Sequence, residues 1–113
     1  MIWIMKYFNL KFTPENLDRH LRCNAASMVT TRDVPKGEVG DITIIDDDVW
    51  YLYEIKYMSL RVLKHINSKI WEYEGFKSMD EYIYEIKHIY GPDMDKKYCI
   101  MNLRRVKLWA KIC

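Results

Sequence analysis

The chain has 113 residues, of which half are hydrophobic and 30% are charged. That balance fits one globular domain over residues 1–113 and excludes a disordered chain or two full domains. A net charge of +2 at pH 7 is too small to mark the whole surface as a nucleic-acid binder, so any such role needs a local patch.

The opening segment Ile2 to Phe12 mixes β-branched and aromatic residues and reads as a strand. Its apolar start, Met1 to Met5, is cut off by Lys6 too soon for a signal peptide or membrane helix. Thr13 then reads as an N-cap, with Pro14 at the first helical position. Leu17 and Leu21 are one turn apart and are expected to face the core. Asn24 to Ser27 is a turn, and Met28 to Asp33 is a strand ending before Val34-Pro35-Lys36-Gly37.

Gly40-Asp41 leads into a strand from Ile42 to Ile45, and Asp46-Asp47-Asp48 reads as a hairpin tip. Val49 to Met58 alternates as a returning strand. Tyr51, Tyr53, Ile55 and Tyr57 are expected on one face, as half of a core. Ser59 is expected to cap a second helix, with Leu60, Leu63, Ile66 and Ile70 in register. A third helix has the clearest signals. Ser78 and Glu81 form a capping-box pattern, and Asp80 and Glu81 suit the positive end of the helix dipole. Met79, Tyr82, Ile83, Ile86 and Tyr90 recur at helical spacing, then Gly91-Pro92 stops the helix. Tyr98 to Ile112 returns to strand character, with Arg105, Lys107, Trp109 and Lys111 sharing a face.

Strands in runs with helices inserted indicate an α+β fold rather than a parallel doubly wound one. A small mixed β-barrel with two to three peripheral helices is expected, because closure removes exposed sheet edges. The cysteines Cys23, Cys99 and Cys113 are odd in number and lack metal-ligand spacing. They read as reduced thiols, and the cytoplasm is the expected location. His20-x-x-Cys23 has too few partners for zinc. No metal, no cofactor and no membrane contact is expected.

Three segments carry a resemblance. Thr30-Thr31-Arg32 lies on a strand after a helix and turn, Val39-Gly40-Asp41-Ile42 opens the next strand, and Glu74-Gly75-Phe76-x-Ser78 precedes the helix ending in Tyr90-Gly91. In that order they resemble the ASCH (activating-signal-cointegrator homology) family over roughly residues 1–112. The resemblance implies a PUA-like β-barrel. It also implies a cleft between barrel and helical segment that binds RNA, a nucleotide or a modified nucleoside. One branch of the family removes the acetyl group from N4-acetylcytidine using a Lys, a Thr and a Glu; another cleaves RNA. By this resemblance Thr30 matches the Thr, Arg32 the Arg that follows it, and Glu74 the Glu. Ser27 stands at the Lys position.

The expected function is therefore RNA or nucleotide binding, with a hydrolase or ribonuclease as the alternative. Thr30 and Glu74 are the candidate catalytic residues, Glu74 being favoured over Glu72 because Gly75 lets the backbone bring it inward. A hydrolase would need a base recruited from elsewhere, with Lys36, Lys56, Lys69 and Lys77 as candidates. Arg32, Ser27 and Lys36 are candidate ligand contacts. Arg105, Lys107 and Trp109 are a candidate RNA footprint, two cations and one stacking ring on a strand face.

Overall fold

A computed structural model describes residues 7–46, 50–66 and 69–106. The order of elements is β1 (Tyr7–Leu10), α1 (Pro14–Asn24), β2 (Ser27–Arg32), β3 (Ile42–Asp46), β4 (Trp50–Val62), α2 (Lys69–Tyr73), α3 (Met79–Tyr90) and β5 (Lys97–Val106). A single 3-10 turn, Leu63–His65, follows β4. The five strands form one mixed sheet in the order β1-β3-β4-β5-β2. β1 runs parallel to β3, and every other neighbouring pair is antiparallel. The α+β expectation holds. Among the described residues the sheet is open, ending at β1 and β2, rather than closed into a barrel. No helix among them is long and apolar enough to cross a membrane.

The sheet carries a core on each face. Alternation along β5 sends Cys99, Met101 and Leu103 one way, where they meet Met28, Tyr53, Ile55 and the α1 residue Leu17. Tyr98 and Ile100 point the other way, where they meet Val29, Leu63, Phe76 and the α3 residues Tyr82 and Ile86. Thus α1 covers one face and α3 the other. Both helices start as their sequences predict. The Thr13 hydroxyl accepts from the Asn16 amide at 3.2 Å, and the Ser78 hydroxyl accepts from the Glu81 amide at 3.1 Å. At the far end of α3, Gly91 has φ +100°, and its amide donates to the Lys87 carbonyl at 2.9 Å.

Two expectations fail on β4. Residues 59–62 continue the strand instead of opening a helix, because they pair with Lys97 to Ile100 of β5. Leu60 and Arg61 are therefore strand residues, and the next α-helix among the described residues is α2. The pairing also jumps between Ile55, opposite Leu103, and Tyr57, opposite Asn102. Lys56 is thus an extra residue, a β-bulge, and it reverses the alternation beyond it. Tyr53 and Ile55 are buried as expected, but Tyr57 is 55% exposed, and Met58 takes the inward position.

Candidate functional site

The cavity of interest lies where α1, the end of β2 and α3 converge. It measures about 150 Å³, and its lining includes Phe12, Asn16, Arg19, His20, Thr31, Arg32, Glu74 and Tyr90. That is the volume which takes one aromatic ring of benzene size.

Glu74 sits at its floor, 3% exposed despite its charge. It follows α2, and Gly75 makes the turn that brings it inward. Gly75 has φ +85°, and a side chain there would sit 3.0 Å from Arg19 Cγ and 3.1 Å from the Arg19 carbonyl. Gly75→Ala is expected to cost about 1–3 kcal/mol by chemical denaturation, as strain and contact act together.

The Glu74 carboxylate is fully engaged. Thr31 Oγ1 donates to Oε2 at 2.6 Å, and Oε1 lies 3.3 Å from His20 Nε2. Because Thr31 uses its one hydrogen on Glu74, the 2.8 Å contact with Tyr82 is donated by the tyrosine hydroxyl. His20 Nδ1 lies 2.6 Å from the Asn16 carbonyl and must carry a hydrogen to satisfy it. A continuous polar chain therefore runs from Tyr82 through Thr31 and Glu74 to His20, linking α3, β2 and α1. Burial, with the Glu74 charge second, pushes the Tyr82 hydroxyl far above the usual tyrosine range. The hydroxyl stays protonated and remains a donor.

Two guanidiniums frame the opening. Arg19 stacks on the Phe76 ring at 3.7 Å. It donates from Nε to the Glu74 carbonyl at 3.1 Å and from Nη1 to Asn16 Oδ1 at 2.6 Å. Arg32 stacks on Phe12 at 4.3 Å and donates from Nη1 to the Lys11 carbonyl at 2.7 Å. Its buried Nε has no hydrogen-bond partner. Both guanidiniums are shifted down from their ordinary values, chiefly by burial. Tyr90 stands beside Arg32, its own hydroxyl raised by burial while the Arg32 charge pulls it back.

The cavity joins some of the residues singled out in the sequence and separates others. Arg32, Thr30 and Glu74 all line it. The threonine bonded to Glu74 is Thr31 rather than Thr30, because alternation along β2 turns only one of the pair toward α3. Ser27 is exposed and lines a separate depression with Cys23, Tyr73 and Asn102. Lys36 is exposed and does not line the cavity. None of Lys36, Lys56, Lys69 and Lys77 lines it; the lysine that does is Lys11. Arg105 is exposed, with its guanidinium over the Tyr51 ring at 5.1 Å. Lys107, Trp109 and Lys111 lie outside the described residues.

Sequence reasoning missed Thr31, His20, Arg19 and Tyr82. His20 and Arg19 had one usable signal. They lie on α1 beside Leu17, on the inward side of a helix with few other apolar residues. Cys23, the other half of His20-x-x-Cys23, points elsewhere, its Sγ 3.4 Å from the Tyr73 carbonyl. No protein-family model, curated protein or solved structure matches the chain.

Proposed function

We propose that this chain binds a nucleotide, or a base of an RNA strand, in the cavity between α1, β2 and α3. The observation that carries the reading is the state of Arg32. Its guanidinium carbon lies over the Phe12 ring, with Nη1 tied to the Lys11 carbonyl and a buried Nε unpartnered. An unmade hydrogen bond at a buried donor is costly, and a ligand that shifts the Arg32 side chain on entering the cavity would supply the acceptor. Guanidinium suits a phosphate or the acceptor edge of a base, and the cavity holds one ring. Lys11 and Arg19 add positive charge at the same rim.

The ASCH resemblance supports this placement in that the cleft it implies lies between a barrel and the helical segment. A PUA-like barrel and a cytoplasmic location belong to the same proposal. Binding is favoured over hydrolysis by the state of Thr31. Its hydroxyl donates to Glu74 as a nucleophile does to a base, but it is buried and its oxygen already accepts from Tyr82, which obstructs attack on a ligand. Arg105 remains exposed for the backbone of a longer strand.

The test is a titration of single-stranded RNA, duplex RNA and a nucleoside panel against wild type and Arg32→Ala. The variant is expected to lose about 1–3 kcal/mol of affinity. Phosphate contacts would also give binding that weakens as salt rises. Equal affinity in the variant would remove Arg32 from the site.

A further inference from the structure

The hydrogen-bonding capacity of the cavity is one-sided. Its acceptors are spent on the protein itself. The Glu74 carboxylate oxygens face Thr31 at 2.6 Å and His20 at 3.3 Å. The Glu74 carbonyl accepts from Arg19 Nε, and the Asn16 carbonyl faces His20 Nδ1. The Lys11 carbonyl is taken by Arg32, and the Thr31 carbonyl by the Tyr90 hydroxyl. Asn16 Oδ1 accepts from Arg19, which leaves the NH2 group of that side chain as its end able to serve a ligand. Among the described residues, the lining carboxylate left uncommitted is Glu85, which is partly exposed on α3.

Donors remain in excess. Each guanidinium has five N–H groups; Arg19 spends two in the bonds above and Arg32 one. Lys11 and Thr30 also line the cavity and bring an ammonium and a hydroxyl. The charge has the same bias. Lys11, Arg19 and Arg32 outnumber Glu74 and Glu85 on the lining.

A group that brings acceptors and negative charge, and no donors, fits such a lining. A base does not. A pyrimidine filling the cavity carries a donor in with it, N3–H in uracil or the N4 amine in cytosine, and a buried donor left unpaired is costly. A purine has two rings, and the cavity takes one. An ionised phosphate offers acceptor oxygens alone, and a guanidinium matches them with paired N–H bonds. We propose that the cavity takes the phosphate of the nucleotide rather than its base, with the phosphoryl oxygens among the donors of Arg19, Arg32 and Lys11. Ribose and base stay toward solvent, where Glu85 can accept from the ribose hydroxyls. This assignment rests on the nucleotide reading above and narrows it to phosphorylated ligands whose base has little influence on affinity. The Glu74 charge does not bar the phosphate, because both its oxygens are turned to Thr31 and His20 and the cations outnumber the carboxylates.

The experiment titrates the full chain with uridine, uridine 5′-monophosphate, adenosine 5′-monophosphate and the dinucleotide uridylyl-uridine. Calorimetry gives the affinities, and backbone amide shifts locate the site. The two monophosphates are expected to bind alike, at least about tenfold tighter than uridine, with shifts at the Asn16, Thr31 and Glu74 amides. A monophosphate tighter than the dinucleotide assigns a terminal phosphate and the reverse a phosphate within a strand, and both orders support the proposal. Lys11→Gln removes one charge from an exposed side chain and is expected to lower the preference for phosphate about three- to tenfold. Uridine binding as tightly as its monophosphate would overturn the assignment and leave the nucleotide reading standing. So would monophosphate shifts confined to other surfaces, or a preference unchanged in both Lys11→Gln and Arg32→Gln. Failure of every probe to bind would remove both readings.

Discussion

Glu74→Ala is expected to destabilise the protein by about 3–5 kcal/mol, a large part of the stability of a domain this size. The side chain is 3% exposed and serves two buried partners. Its removal leaves the Thr31 hydroxyl with no acceptor and the His20 Nε2 facing a void, and each buried polar group left unpaired adds its own desolvation cost. The cavity is polar, so water can recover part of the loss. Glu74→Gln has the same shape and keeps an atom for each partner, and is expected to cost only about 1 kcal/mol. Urea unfolding of both variants, with the slope checked against wild type, makes the comparison. If alanine cost no more than glutamine, Glu74 would be a solvated loop residue, and the polar chain across the cavity would not be holding it.

How much of this was legible in the sequence depended on range. The signals that worked are local. Thr13-Pro14 and Ser78-x-x-Glu81 specify helix starts through atoms three residues apart, and Gly75 declared the turn that brings Glu74 inward. The failures are all questions of partner. Ser59-Leu60 carries a cap and an apolar residue at helical spacing, yet pairing with Ile100 and Cys99 keeps it extended. Tyr57 looked inward because alternation was extended through Lys56, and nothing local marks Lys56 as the extra residue. Thr30 and Thr31 are chemically identical, and the face each takes is set by the register of β2 against β5. His20 could be noticed but not assigned, since its partner lies 54 residues away.

The same burial that organises the cavity predicts marked alkaline lability. Tyr53, Tyr82 and Tyr98 are each 0% exposed. All three hydroxyls are raised above the usual tyrosine value, chiefly by burial. A folded-state pKa above the unfolded one means that the native protein holds protons the unfolded chain releases. The stabilisation is complete below about pH 10, where unfolded tyrosines begin to ionise, and is lost as pH rises beyond it. Each such tyrosine costs up to about 1.4 kcal/mol per pH unit in that window. Tyr82, the most strongly raised of the three, carries that slope most fully, and Tyr53 and Tyr98 add to it in the same direction. The unfolding midpoint is therefore expected to be level through neutral pH and to fall steeply above about pH 10. Tyr82→Phe separates the contributions. It loses the bond to Thr31, about 1 kcal/mol at neutral pH, yet its alkaline slope should be shallower by about one proton. An unchanged slope in that variant would mean that Tyr82 ionises in the folded state, and that the hydroxyl is not sealed between α3 and β2 as its contacts imply.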